Sequence, residues 1–156
     1  NVPYETGLIK NRYIGSTFIR PTQQQRMQGM RVRLNAISSV VKDKSVYLVD
    51  DSVVKGFTSR RICQLLKEAG AKEVHLRIAS PMLKYPCLYG ADSTTQKDLA
   101  AFNYSVDEMK QLFQVDSLRF ISVEDFKKCV PETSCLACCT GEYPEELQDY
   151  KDEVKE

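Results

Sequence analysis

The spacing of apolar positions changes several times along the chain, and each change marks an element. Val46, Tyr47, Leu48 and Val49 form an unbroken apolar run that stops at two adjacent carboxylates, Asp50 and Asp51. Such a run predicts a strand buried on both faces of a parallel sheet. A short loop through Gly56 follows, and Thr58 and Ser59 open a helix. Its apolar residues Ile62, Leu65, Leu66 and Ala69 fall at i, i+3, i+4 and i+7, one buried stripe with Cys63 beside it as a small hydrophobe. Gly70 is placed to cap that helix. Val74, Leu76 and Ile78 then alternate with His75 and Arg77, a second strand. Strand, helix, strand predicts a βαβ unit with a right-handed crossover and a parallel sheet.

The flanking pattern is less regular. Residues 7–28 mix basic, aromatic and amide groups around Gly7, Gly15 and Pro21, which predicts a mobile loop and a short polar helix after Pro21. Val40 and Val41 begin the packing towards the next strand, and residues 42–44 read as a turn. Downstream, Ser93-x-x-Gln96 and Ser105-x-x-Glu108 have the form of capping boxes. The second box would start a helix burying Val106, Met109, Leu112 and Phe113. Leu118–Ile121 reads as a short strand, and Ser122–Cys129 as a last helix stopped by Pro131. His75, the single histidine, sits mid-strand and reads as structural.

Composition narrows the class. The 156 residues suffice for one domain with a real core. A net charge of +1 favours neither nucleic acid nor a membrane surface. No apolar run approaches the ~18 residues of a membrane span, and the start has no signal-peptide pattern. The charge is unevenly placed. Lys10, Arg12, Arg20, Arg26, Arg31 and Arg33 face only Glu5 in residues 1–35, whereas the end from Glu142 is acidic. A basic first third suits a polyanion, and a solvated charged face is the alternative. Six cysteines without a secretion signal point to the cytoplasm, where thiols stay reduced. The start at Asn1 suggests a piece of a longer polypeptide. The chain divides into residues 1–130 and a Cys-rich, acidic segment, 131–156.

Candidate chemistry gathers in two places. At the C-terminal end of the first strand, where open α/β sheets bind ligands, the helix start offers N–H groups and a positive dipole end to a phosphate. Asp50 and Asp51 suit sugar hydroxyls or a hard cation such as magnesium. Together they suit a ribose 5-phosphate. The second place is Cys135-x-x-Cys138, with Cys139 adjacent and Cys87 far upstream. Two thiolates at this spacing can grip one metal, and a distant cysteine can complete the site. Spacing alone leaves zinc, an iron–sulfur cluster, structural thiols and a redox pair open.

The stretch VDDSVVKGFTS resembles the phosphoribosyl pyrophosphate (PRPP) signature of type I phosphoribosyltransferases. NVPYETGLIKNRYIGSTFIRP before it, and KEAGAKEVHLRIASPMLKYPCLYGAD and CLACCTGEYP after it, look like the amidophosphoribosyltransferases, the glutamine-dependent first enzymes of purine synthesis. The resemblance covers all but the last dozen or so residues. It implies an α/β fold, an incomplete type I phosphoribosyltransferase domain with a mainly parallel sheet, flanking helices and a flexible N-terminal loop. The first strands of that fold would precede Asn1.

The resemblance also implies roles. Asp50 and Asp51 would hold the ribose hydroxyls and Mg2+. Ser52, Lys55, Gly56, Phe57, Thr58 and Ser59 would hold the 5-phosphate, Lys10 would meet the pyrophosphate, and Tyr13 would sit in the closing loop. Ser16, Lys55 and Phe57 depart from the family's usual Arg, Arg and Thr, and Arg33 stands where Lys is common. Cys87, Cys135 and Cys138 match three ligands of a 4Fe–4S cluster, whose fourth ligand would lie upstream of Asn1. The implied partners are PRPP, a glutaminase domain of the same polypeptide and further copies of the full-length enzyme. The alternative is an inactive fragment or degenerate paralogue that regulates by binding PRPP or nucleotide. An unrelated nucleotide-binding domain is disfavoured, because the loop has neither GxGxxG nor GxxxxGK[ST].

Overall fold

The computed structural model describes residues 2–10, 34–89 and 95–143. Tyr13, Ser16, Arg31, Arg33, Ser93 and the helix expected after Pro21 lie outside them. The described chain runs β1 (Leu8–Lys10), β2 (Leu34–Ala36), α1 (Ser38–Val41), β3 (Ser45–Asp50), α2 (Phe57–Glu68) and β4 (Glu73–Ile78). A 3-10 turn (Gln96–Asp98) follows, then α3 (Ala100–Asn103), α4 (Val106–Phe113), β5 (Ser117–Phe120), α5 (Val123–Lys127) and α6 (Ala137–Thr140). β3, β4 and β5 form a parallel sheet in that order, so the expected βαβ unit is present. Lys10 was read within a loop. It instead ends β1, which pairs antiparallel with β2 in a small separate ribbon.

The sheet is covered on one side. In register, Val46, Leu48 and Asp50 of β3 share a face with Val74, Leu76 and Ile78 of β4. α2 and α4 pack against this face and against each other. The core there includes Cys63, Leu66, Val74, Leu76, Met109, Phe113 and Leu118. Two-sided burial of β3 does not hold: among the described residues it is an edge strand, and Tyr47 and Val49 are 51% and 69% exposed. The physical reason lies in β4, whose alternation puts Glu73, His75 and Arg77 on the other face. There Ser45 Oγ donates to Glu73 (2.6 Å), Ser117 Oγ lies 2.8 Å from His75 Nδ1, and Tyr47 stacks on His75 with Arg77 above its ring. His75 is a member of this network.

Helix ends follow local chemistry where the signals were complete. After α2, Gly70 takes φ 94°. Its N–H donates to Lys67 O and that of Ala71 to Leu66 O, the paired bonds of a Schellman cap. At α4 the capping box is formed: Glu108 N–H donates to Ser105 Oγ and Ser105 N–H to Glu108 Oε2. The Ser105 N–H and hydroxyl, both donating to Glu108 Oε2, hold its carboxyl below its ordinary range. The other expected box needs Ser93, which lies outside the described residues. Thr95 precedes the 3-10 turn, and Gln96 donates to Lys84 O (3.1 Å). The helix after Ser122 spans only Val123–Lys127, and it is not the last, because α6 follows beyond Pro131.

Phe113 sits where α2, α4 and the loop before α2 meet, and it is fully buried. Phe113→Ala should therefore destabilise the fold by about 3–5 kcal/mol, read as a lower urea midpoint. A loss near that of an exposed residue would show that the ring is not packed.

Candidate functional site

β3 delivers Asp50 at its C-terminal end, level with Ile78 of β4, and Ala79 N–H donates to Asp50 O (2.9 Å). The chain then leaves the sheet as a tight loop. Asp50 Oδ1 accepts from Asp51 N–H (3.2 Å), and Asp51 Oδ1 accepts from Ser52 N–H (2.6 Å) and Ser52 Oγ (3.2 Å). Val53 turns into the core, 2% exposed. Val54 O accepts from Ala100 N–H (2.8 Å), and Lys55 Nζ lies 3.1 Å from Asp98 Oδ2.

Gly56 caps α2 in the left-handed conformation, φ 78°. A Cβ here would come within 2.9 Å of the Phe113 ring, so both backbone angle and space require glycine. No side chain caps the helix. The first intrahelical bond runs from Arg60 N–H to Gly56 O, so the amides of Phe57 and Ser59 precede it. Phe57 is 47% exposed, Thr58 is exposed and Ser59 is buried. Ser59 Oγ donates back to Asp50 Oδ2 across the loop (3.4 Å). The structure thus brings Asp50, Asp51, Ser52 and residues 55–59 into one loop around the start of a twelve-residue helix.

Burial, and then the Asp51 charge, raise the Asp50 pKa above the carboxylate norm; the bonds from Asp51 N–H and Ser59 oppose them. Among the described residues neither carboxylate has a Lys, Arg or His ion partner. The donor set is a pair of hard oxygens carrying uncompensated negative charge, which fits a hard divalent cation or sugar hydroxyls.

Two candidates stand elsewhere. Lys10 is exposed on the β1–β2 ribbon and, among the described residues, makes no hydrogen bond or ion pair with the loop. Tyr13 lies outside the described residues. A shallow groove of about 470 Å3 between Pro81, Met82, Lys84, Val106, Leu118 and Phe120 is not lined by any residue from 50 to 59.

The six cysteines are all unpaired. α6 is held by its Cys138 carbonyl, which accepts from Lys84 N–H (2.9 Å) and Tyr85 N–H (3.0 Å). Tyr143 is buried and donates to Pro86 O. Its hydroxyl is pushed up to about 12 by burial first, then by the neighbouring Cys138, Cys87 and Cys135. Cys87, Cys135 and Cys138 are the three expected cluster ligands. They are not arranged as a ligand set: among the described residues no group of three or more His, Cys, Asp or Glu is placed to hold a metal ion. The close contact is instead Cys138 Sγ to Cys139 Sγ, 3.9 Å. One of these two thiols donates to the other, and the contact lowers the Cys138 thiol while raising that of Cys139. Cys63 is a core residue whose thiol burial pushes up to about 12.

Sequence reasoning missed Asp98, Ala100 and the Phe113 seat as supports of the loop. No local signal marks them, since they lie 43 or more residues from the groups they touch. The raised pKa of Asp50 has a measurable sign. A carboxyl raised by folding contributes stability below its unfolded pKa and loses it as pH climbs through the folded value. Asp50→Asn mimics the neutral acid, so without divalent cations it should raise the thermal midpoint near neutral pH. That gain should fade as pH falls into the carboxylate range. A midpoint lowered at pH 7 and unchanged by acid would contradict this.

No protein-family model matches the chain. It is 49% identical to the amidophosphoribosyltransferase of Bacillus subtilis, over 98% of this chain and 33% of that protein. It is 48% identical to the enzyme of the same name from Methanocaldococcus jannaschii, over 94% of this chain and 31% of that one. A solved structure of the allosteric regulatory enzyme of purine biosynthesis superposes with a TM-score of 0.80 at 48% identity, covering 99% of this chain and 35% of that one. The glutamine PRPP amidotransferase of Bacillus subtilis, solved with ADP and GMP, gives 0.79 at 50% identity, covering 95% and 34%. The chain spans about one third of the length of the curated relatives it matches. The partial parallel sheet with its flanking helices and the residues that build its loop thus have one source: over nearly its whole length the chain is a homologue of the amidophosphoribosyltransferases.

Proposed function

We propose that residues 50–59 form the ribose 5-phosphate half of a PRPP site. The chain would then serve in forming 5-phosphoribosylamine, with ammonia displacing pyrophosphate at the anomeric carbon. The observation that carries this reading is the pair Asp50 and Asp51, uncompensated by any described cation, immediately before a glycine-capped helix start. The substitution passes through an oxocarbenium-like state and needs positioning and charge stabilisation more than a nucleophile or base. The loop accordingly holds no obvious nucleophile.

Each group has a part. Asp50 and Asp51 hold the ribose hydroxyls, with Ser59 and Ser52 fixing the orientation of each carboxylate. The amides of Phe57 and Ser59 and the hydroxyl of Ser52 face the 5-phosphate. Mg2+ held at the same two carboxylates would neutralise charge on the pyrophosphate. Lys10 and Tyr13 belong to the pyrophosphate side, by resemblance. The glutamine-derived ammonia, a glutaminase domain, the oligomer, the cytoplasmic setting and the division of the chain near residue 130 likewise rest on the relatives and the residue pattern. A 4Fe–4S cluster at Cys87, Cys135 and Cys138 rests on the resemblance alone, and the side chains as placed do not form its ligand set.

Calorimetry of the chain with PRPP and Mg2+ tests the site. Asp50→Asn with Asp51→Asn should weaken binding at least ~10-fold, a loss of about 1.4 kcal/mol or more, with the fold intact by circular dichroism. Equal affinity in the double variant would sink the assignment. An assay of phosphoribosylamine formation with ammonia as donor separates catalysis by this chain from the alternative of a regulatory PRPP-binding protein.

A further inference from the structure

We propose that Lys55 anchors the phosphate loop rather than touching the phosphate, and that Asp98 is the positioning residue that holds it there. This rests on the reading of residues 50–59 as a phosphate loop. Three consecutive loop residues are tied to one later stretch of chain. Val54 O accepts from Ala100 N–H (2.8 Å), Lys55 Nζ lies 3.1 Å from Asp98 Oδ2, and the position of a Gly56 Cβ is filled by the Phe113 ring, with the Ala100 Cβ 3.6 Å away.

The tether has a firm base. Leu99 and Ala100 are each 3% exposed. Asn103 Nδ2 donates to Lys97 O (2.7 Å) and Leu99 O (2.8 Å), closing the turn that carries Asp98. By contrast, the Lys55 and Asp98 side chains are 37% and 49% exposed. An exposed ion pair contributes little to global stability, so what this pair sets is where the loop lies. A lysine is a point charge on a flexible stem. With that charge engaged by a carboxylate, the phosphate is left to the backbone amides and hydroxyls around the start of α2.

The competing reading, in which Lys55 leaves Asp98 to meet the phosphate, predicts effects of the opposite sign. The test uses the 156-residue chain with ribose 5-phosphate as probe, plus hydrogen exchange of residues 54–59 without ligand. Asp98→Asn should speed loop exchange and weaken ribose 5-phosphate binding several-fold. The charge exchange Lys55→Glu with Asp98→Lys should restore both, which a phosphate-contacting lysine would not allow. Tighter binding in Asp98→Asn, unchanged loop exchange, or failure of the exchanged pair to restore protection would each overturn the proposal. Absence of ribose 5-phosphate binding in the parent chain would defeat the phosphate-loop reading, while the exchange measurement would still decide whether Asp98 anchors the loop.

Discussion

Two helices share one face of a three-stranded sheet, and the rest of the structure follows from where they meet. α2 packs on β4, α4 packs on β5 and the two helices pack on each other, with the Phe113 ring filling the space beside Gly56. The chain leaving β3 must reach the start of α2 by passing over that ring. Only a residue without a Cβ fits there, and its backbone must be left-handed. With Gly56 fixed, Val53 is drawn into the core and the carboxylates of Asp50 and Asp51 stay at the rim of the sheet. Aromatic packing from a helix more than fifty residues downstream thus sets the loop. The interior is dense enough that a ring in this position leaves little freedom.

Legibility in the sequence tracks the range of each interaction. The stripe of α2, its Gly70 cap and the Ser105–Glu108 box are short-range devices and stand as read. The parallel pairing of β3 and β4 could be inferred because a helix joins them. What failed depended on partners distant in sequence. β3 reads as doubly buried from its own four apolar residues. Its burial is decided by β4, whose polar alternate positions line the uncovered face. Leu8–Lys10 has too little pattern for a strand and becomes one only by pairing with Leu34–Ala36. Lys55 and Asp98 pair across 43 residues, and nothing near either announces the other.

The Cys-rich end shows the same limit in another form. A C-x-x-C spacing says that two sulfurs can approach one point, and says nothing of which atoms lie nearest. In the fold the close contact is between the adjacent Cys138 and Cys139 sulfurs, 3.9 Å apart, and among the described residues the cysteines form no metal-ligand group. Hydrogen bonds from Lys84 and Tyr85 to the Cys138 carbonyl, and from Tyr143 to Pro86, tie this end to residues 84–86. The segment is therefore held by two backbone hydrogen bonds and the Tyr143 hydroxyl, none of which uses a thiol.

The Asp50 carboxylate is placed against the interest of the fold. Burial and the adjacent Asp51 both disfavour the charge on Asp50, and Ser59 and the Asp51 amide offset this only in part. A purely structural loop would gain by an amide at this position. The hydrogen bonds that do exist fix the direction of each carboxylate without neutralising it: Ser59 and the Asp51 amide for Asp50, Ser52 for Asp51. Oriented charge left uncompensated is poorly explained by stability and well explained by a ligand that brings the missing positive charge and hydroxyl donors. The same logic separates Lys55 from them. Its charge is already answered by Asp98, so on the proposed reading it supports the site while Asp50 and Asp51 supply its chemistry.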